Sequence, residues 1–372
     1  MVWNKTVCIV TIRAHAQISL KALQHNLQRV RQLASGAEIM CVIKANAYGH
    51  GLLQVAEVLA DADALAVANL DEASRLRSHL ANKIPDKKIV ILQGVLTQDE
   101  LTFVCKQNLD IVVHNEQQLQ LIEDAQFLSS TPLSVWLKVD TGMHRLGFSP
   151  DKVDGVVSRL QQCSHDVTIR MMSHFANADD PSDPLTENQF ILFSQVTAQY
   201  EFQKSIANSA GIAGVIDCSM DWVRPGIMLY GVNPFIGMEQ ENIDLLPVMT
   251  LSATVISIQQ RTKGDAIGYG GTWVCPEDMP IAVISIGYGD GYPRHAETDT
   301  PVLVNGNRCP LVGRVSMDMI CVDVREAGLV KIGDEVILWG NGLPVEVVAH
   351  HSNTIAYELL CKVTPRVLRE YT

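Results

Sequence analysis

Lys44 stands at the end of an apolar run, Ile39–Lys44, and opens straight into Ala45-Asn46-Ala47-Tyr48-Gly49-His50-Gly51. A lysine held between a buried strand and a glycine-containing loop is stripped of water, which lowers its pKa and frees the amine as nucleophile or base. The plainer alternative is a strand-end lysine whose stem lies on apolar surface while its ammonium reaches water, and Lys44 taken alone favours it. Two later stretches supply small, donor-rich turns: Ala207-Asn208-Ser209-Ala210-Gly211 and Val223-Arg224-Pro225-Gly226-Ile227. Turns of that composition can cradle a phosphate with backbone amides and hydroxyls. Lys138 and His174 lie at the ends of two further runs; His174 alone reads more readily as a satisfied core histidine than as a catalytic group.

These groups need a frame that gathers strand ends. From Ile12 onward, short apolar runs alternate with helical periodicity: Ile39–Lys44, Ala64–Ala68, Lys88–Gln93, Asp110–His114, Leu133–Asp140, Val167–His174, a weak run at Lys204–Asn208 and a short one at Asp221–Arg224. Buried parallel strands read as near-continuous apolar runs joined by helical crossovers. The pattern predicts an α/β fold, a (β/α)8 TIM-type barrel with its chemistry at the C-terminal ends of the strands. Loops after the seventh and eighth strands would then form a phosphate site, and that site together with Lys44 suggests pyridoxal 5'-phosphate (PLP). After the barrel the pattern turns mainly β, with strand-like runs at Met249–Gln259, Ile281–Ile286, Arg308–Val315, Met319–Val324 and Glu335–Trp339 and helical periodicity only near Thr354–Lys362. The expected divisions are 1–11, an N-terminal strand joining the C-terminal domain; 12–244, the PLP-binding barrel; and 245–372, the mainly β domain.

At 372 residues the chain exceeds the size at which a single core stops growing, so two domains are expected. A net charge of −12 with no basic stripe argues against a nucleic-acid partner, yet leaves room for one anionic cofactor held by local cations. The nine cysteines are odd in number and contain no CxxC pair, which favours a reduced compartment. The apolar stretch Val7–Val10 is too short for a secretory signal or a membrane span, so a cytoplasmic protein without a membrane partner is expected. No His or Asp/Glu grouping has ligand spacing, and no metal is expected.

Read in order, the motifs become specific. Val42-Ile43-Lys44-Ala45-Asn46-Ala47-Tyr48-Gly49-His50-Gly51 resembles the PLP-lysine motif of the alanine racemase family. The resemblance continues through Lys138-Val139-Asp140-Thr141-Gly142-Met143-His144-Arg145-Leu146-Gly147, His174-Phe175-Ala176, Asn208-Ser209-Ala210 and Arg224-Pro225-Gly226-Ile227. It covers essentially the whole chain, through Gly268-Tyr269-Gly270-Gly271-Thr272-Trp273, Gly287-Tyr288-Gly289-Asp290-Gly291-Tyr292, Gly313-Arg314-Val315-Ser316-Met317-Asp318 and Tyr357-Glu358.

The resemblance implies a PLP-dependent racemase of L- and D-alanine, a homodimer with active sites shared between subunits. Lys44 and Tyr269 would be the bases on opposite faces of the substrate Cα, Tyr269 coming from the partner. Arg224 would face the cofactor's pyridine nitrogen, with His174 linking Arg224 to the tyrosine. Arg145 would contact the cofactor's phenolic oxygen and the substrate carboxylate. Lys138 would orient Arg145, and family members often carry this lysine as a carbamate. Tyr48, Ser209, Gly226, Ile227 and Tyr357 would hold the phosphate, with Asn208 beside them. Met317 would offer a backbone N–H to the substrate carboxylate, and Tyr288 would narrow the entrance. Ser316, His144 and Ala356 depart from the commoner family residues, and none of these changes removes a base. Tyr288 and Tyr292 can also be read as packed loop aromatics, and Asp318 as a structural carboxylate. Two alternatives stay open: a racemase of broader range, serine included, and a PLP-binding carrier without turnover. The product would supply D-alanine to cell-wall peptidoglycan, or the enzyme would serve its degradation.

Overall fold

The computed structural model describes residues 14–125, 132–214, 218–235 and 243–372. Contacts divide the chain into two compact units: Leu20–Leu246, and Pro247–Thr372 together with the residues that precede Leu20. Strand β1 (His15–Ile18) belongs to the second unit. In the first, eight parallel strands form a closed barrel: β2 (Glu38–Val42), β3 (Ala64–Val67), β4 (Lys88–Ile91), β5 (Asp110–Val113), β6 (Leu133–Lys138), β7 (Val167–Met172), β8 (Lys204–Ser205) and β9 (Trp222–Val223). Each of the eight runs expected from the sequence supplies one strand. Closure comes from β2 beside β9, with Glu38 opposite Trp222 and Ile39 opposite Val223. β8 and β9 have two residues each and share a single aligned pair, Ser205 with Trp222, which accounts for their faint sequence signal.

Helices begin where side chains can accept the orphan N–H groups of the first turn. Asn69, Thr97 and Asn115 cap Leu70–Leu80, Gln98–Lys106 and Glu116–Glu123 in this way. β3 and β5 are buried along their whole length, as expected of parallel strands covered on both faces. Trp136 and Trp222, almost fully buried, meet edge to face with centroids 5.6 Å apart. The Trp222 indole N–H donates to Gln203 Oε1 at 3.1 Å.

In the second unit, β10 (Met249–Arg261), the short hairpin β11 (Ala266–Ile267) and β12 (Trp273–Val274), β13 (Met279–Ile284), β14 (Pro301–Val304), β15 (Asn307–Val312), β16 (Ile320–Asp323), β17 (Glu335–Trp339) and β18 (Leu368–Tyr371) follow in order. The main sheet runs β13-β16-β15-β14-β17-β10-β1-β18, and β10 also pairs with β13, so six of its strands close on themselves. β10 manages this by shifting register near Leu251/Ser252 against β17 and near Val255/Ser257 against β13, bends that turn one long strand between neighbours.

Three expectations need correction or fall outside this description. The barrel does not begin at residue 12: His15–Ile18 pair with β10 and β18, and the chain enters the barrel unit at Leu20. The expected strand at 1–11 lies outside the described residues. A helix at Val345–His351, opened by Pro344, precedes the expected one, which forms at Ala356–Lys362. Among the described residues no helix is long and apolar enough to cross a membrane, and no cluster of three His, Cys, Asp or Glu could hold a metal ion.

Trp222→Ala removes a fully buried indole, its edge-to-face contact with Trp136 and one of the hydrogen bonds to Gln203. It is expected to lower stability by about 3–5 kcal/mol, measured as the shift in urea midpoint of the first unfolding transition; a loss under about 1 kcal/mol contradicts the packing described.

Candidate active site

The barrel's first strand, β2, ends in an unusual turn. Ala45, Asn46, Ala47 and Tyr48 are all left-handed, with φ of 55°, 54°, 53° and 51°. L-residues resist this conformation by about 1–2 kcal/mol each, so the surroundings must hold it. Ala47 N–H donates to Ile43 O at 2.9 Å, Gly49 N–H to Ala45 O at 3.0 Å and Gly51 N–H to Asn46 O at 3.0 Å. The Asn46 side chain accepts from Leu52 N–H at 3.0 Å. Tyr48 and His50 each stack on Tyr230, at 4.7 and 4.6 Å between centroids. His50 Nδ1 lies 2.9 Å from Tyr48 O and 3.1 Å from Ala47 O; facing two carbonyls, it must carry the proton. The turn buries Tyr48 and leaves Lys44 half-buried at the strand end.

Four cations converge on the same mouth. Arg224, 5% exposed, donates through Nη1 to Ser205 Oγ at 2.6 Å and through Nη2 to Ser173 O, to Ile206 O at 3.3 Å and to His174 Nδ1 at 3.2 Å. Burial brings its pKa down to about 10, still a cation at neutral pH. Burial first, and then the charges of Arg224, Lys138, Arg145 and Lys44, hold His174 well below the usual histidine range. His174 is therefore neutral, and because Arg224 donates to its Nδ1, the remaining proton sits on Nε2. Burial, followed by Arg224, Arg145 and Lys44, pushes Lys138 down to about 8. Arg145 projects from an exposed loop pinned at its base, where Asp140 Oδ1 accepts from Gly142 and His144 N–H, both at 3.0 Å.

Next to this charge lies a niche of small groups. Ser209 Oγ, buried, accepts from Gly226 N–H at 2.9 Å and from Met228 N–H at 3.4 Å. A Cβ on Gly226 would lie 2.7 Å from Tyr48 Oη, so a side chain there would displace the tyrosine's hydroxyl. Asn208 uses its side-chain oxygen to accept from Gly211 N–H at 2.9 Å. Ile227 follows Gly226 and is buried. Hydroxyls, a backbone glycine and neighbouring cations are the donor set a phosphate ester needs, so the residues present fit PLP.

The other expected site residues belong to the β unit. Tyr269 sits 67% exposed in the turn between β11 and β12, flanked by Gly268, Gly270 and Gly271, all with positive φ. The segments carrying Tyr288 and Met317 are zipped together: Tyr288 N–H donates to Ser316 O at 3.1 Å and Gly289 N–H to Met317 O at 2.8 Å. Tyr288, Met317 and Tyr357 are exposed in the described chain. Asp318 is held by Arg366 at 2.7 Å, while Arg366 also reaches Asp290 at 3.2 Å. Tyr292 is a packed aromatic, stacked on Trp339, and burial raises its phenol above the ordinary value.

Two supporting residues escaped the sequence reading. Gln189, fully buried, accepts from Ala176 N–H at 2.9 Å and donates to His174 O at 3.0 Å, fixing the histidine's segment. Glu72 bridges two strand-end loops; the spacing Asn69-x-x-Glu72 is a capping-box signal that the sequence does display.

The alanine racemase N-terminal domain family matches residues 18–234, and the alanine racemase C-terminal domain family matches 248–371. The chain is 49% identical over 362 residues to the alanine racemase of Coxiella burnetii (strain RSA 493 / Nine Mile phase I), covering 95% of this chain and 98% of that protein. Its fold is similar to that of the biosynthetic alanine racemase of Pseudomonas aeruginosa, with a TM-score of 0.91, 41% identity and coverage of 97% and 99%. It is also similar to a Bartonella henselae alanine racemase with covalently bound pyridoxal phosphate, at a TM-score of 0.85, 31% identity and coverage of 97% and 99%. A barrel and a β unit with these motifs define an enzyme of the two-domain racemase class. The chain belongs to the alanine racemase family.

His174 is expected to remain neutral across pH 6–8, with the proton on Nε2, as read from side-chain 15N shifts. Its lowered pKa has a linked effect on stability: below about 6.5 the unfolded chain takes up a proton that the native state refuses, so stability falls with pH in that window. Titration of His174 at an ordinary histidine pKa contradicts the buried, cation-ringed setting.

Proposed function

We propose that this enzyme interconverts L- and D-alanine with PLP, using Lys44 and Tyr269 as bases on opposite faces of the substrate Cα. The observation that carries the reading is the convergence of Lys44, Lys138, Arg145 and Arg224 on neutral His174, beside the Ser209–Gly226–Tyr48 niche. PLP, when bound, supplies an electron-accepting ring that makes the α-proton of an attached amino acid acidic. Lys44 would anchor it and would remove or return a proton at the substrate Cα from one side. Tyr269 does the same from the other side, which racemisation requires because a single base would return the proton to the face it left.

Arg224 would hold the cofactor's ring nitrogen. Its guanidinium would donate a hydrogen bond there without surrendering its proton, which would limit the ring's electron-accepting power and favour return of the proton to the substrate Cα. Neutral His174 relays between Arg224 and the phenol. Arg145 binds the substrate carboxylate, assisted by the Met317 backbone N–H, and Tyr288 narrows the approach. Tyr48, Ser209, Gly226, Ile227 and Tyr357 hold the phosphate, with Asn208 shaping the loop. Because Tyr269, Tyr288, Met317 and Tyr357 stand on the β unit, a homodimer is proposed in which a partner subunit supplies Tyr269 and Met317. The metabolic role proposed is provision of D-alanine for peptidoglycan or its breakdown, in the cytoplasm.

Incubating the PLP-loaded enzyme with single L-amino acids in D2O, followed by chiral chromatography and mass analysis, tests the reading. L-alanine should reach an equal, deuterated mixture of enantiomers. Comparable turnover of serine moves the assignment to a broader racemase, and bound PLP without turnover supports a carrier. Tyr269→Phe should slow α-proton exchange from L-alanine far more than from D-alanine; equal losses sink the two-base scheme.

Lys138, with its pKa near 8, holds an appreciable share of neutral amine at neutral pH, and only that form attacks carbon dioxide. The N–C bond forms with loss of one amine proton, giving an anion suited to the neighbouring guanidinium of Arg145. A 13C carbamate signal from labelled bicarbonate should appear at neutral pH and disappear in Lys138→Ala; its absence from the parent enzyme refutes the modification.

A further inference from the structure

Glu72 and Gln118 occupy equivalent places, the third residue of a helix that follows a barrel strand and is capped by asparagine. In a capping box the third residue turns back toward the cap. Both of these side chains reach further. Glu72 Oε2 accepts from Ala68 N–H at 3.0 Å, at the end of its own strand β3, and Oε1 accepts from Asn46 N–H at 3.0 Å, in the loop after β2. Gln118 Oε1 accepts from His114 N–H at 2.9 Å, after its own strand β5, and Nε2 donates to Gln93 O at 2.9 Å, in the loop after β4. Glu100, at the same place in the helix between them, accepts from Leu96 N–H at 2.6 Å, within its own strand's loop.

Each residue type follows from its partners. Glu72 faces two N–H donors, and among side chains of that length only a carboxylate offers two acceptors. Gln118 faces one N–H and one carbonyl, which an amide matches and a carboxylate does not. The Asn46 amide lies inside the left-handed turn, two residues beyond Lys44, and its bond to Glu72 ties that turn to the neighbouring strand end.

We propose that Glu72 is a positioning residue for the reaction. By clasping Asn46 to Ala68 it fixes the left-handed turn and thereby the direction in which Lys44 leaves β2. The inference rests on Lys44 being the cofactor lysine; Glu72 acts through backbone.

The test compares Glu72→Gln with Asn69→Ala in the full-length holoenzyme. Glu72→Gln turns one acceptor into an NH2 group facing an N–H. Asn69→Ala removes the helix cap and leaves both Glu72 acceptors in place. Hydrogen exchange of peptides covering residues 44–51 is read by mass spectrometry, alongside kcat, KM and melting temperature. Glu72→Gln should speed exchange in 44–51 about tenfold, the size that one lost hydrogen bond supports, and lower kcat while KM changes little. Asn69→Ala should lower the melting temperature and leave exchange in 44–51 at the parent rate.

Unchanged exchange and kcat in Glu72→Gln overturn the proposal, as does equal loosening of 44–51 by Asn69→Ala, which would make Glu72 a helix cap alone. If Glu72→Gln does not fold, Glu72→Asp, one methylene too short to span both amides, carries the same expectation and the same refutation. Borohydride reduction of the parent holoenzyme with peptide mapping separates the two readings. A label away from Lys44 sinks the lysine assignment itself; a label on Lys44 with unaltered Glu72 variants sinks only the clasp.

Discussion

A guanidinium that keeps its proton lies buried at the mouth of the barrel, and the groups around it take their states from burial and then from that charge. Arg224 contributes to keeping His174 neutral and, with burial and the neighbouring cations, holds Lys138 far below an ordinary lysine. Its hydrogen bonds go to a hydroxyl, to two carbonyls and to the imidazole. Concentrating buried positive charge in this way is costly through desolvation and mutual repulsion, and it leaves the mouth in need of an anion. Phosphate and carboxylate groups are the natural counterparts, so the energetics of the barrel mouth and its ligand preference have one origin.

The second demand is geometric. Lys44 leaves the end of β2 into a turn of the wrong hand. Four successive non-glycine residues in left-handed conformation persist only because stacked aromatics, an asparagine cap and the Glu72 carboxylate surround them. The β unit solves its own presentation problem differently. Tyr269 is carried on glycines that adopt positive φ at little cost, and the Tyr288 and Met317 segments are fixed by backbone bonds to each other. Strain is thus kept at the lysine, where direction matters most.

Much of this was legible in the sequence, for identifiable reasons. Strands β2 to β7 announce themselves because parallel strands buried on both faces are continuous apolar runs. β8 and β9, with two residues each, are too short to do so, and β1 and β18 mix polar residues such as Gln17 and Glu370 into four, so no apolar run registers. The glycines of the phosphate niche and the flanks of Tyr269 were visible as composition. The left-handed turn was not, since Ala-Asn-Ala-Tyr has no glycine to advertise it. The neutrality of His174 was also hidden, because it arises first from burial and then from cations brought together by the closure of the barrel. Glu72 showed its capping spacing but not its second bond, which depends on a neighbouring strand.

The long strand β10 has a consequence for the order in which this protein can be assembled. β1 is synthesised before any barrel strand, yet its hydrogen-bond partners are β10, which comes after the whole barrel, and β18, later still. The barrel's contacts join mostly sequential neighbours and can form as the chain emerges. The β unit must wait for its last strand while β1 stays unpaired. Vectorial synthesis therefore makes every barrel strand and Lys44 before the element bearing Tyr269, so the two proposed bases mature at different times on the ribosome.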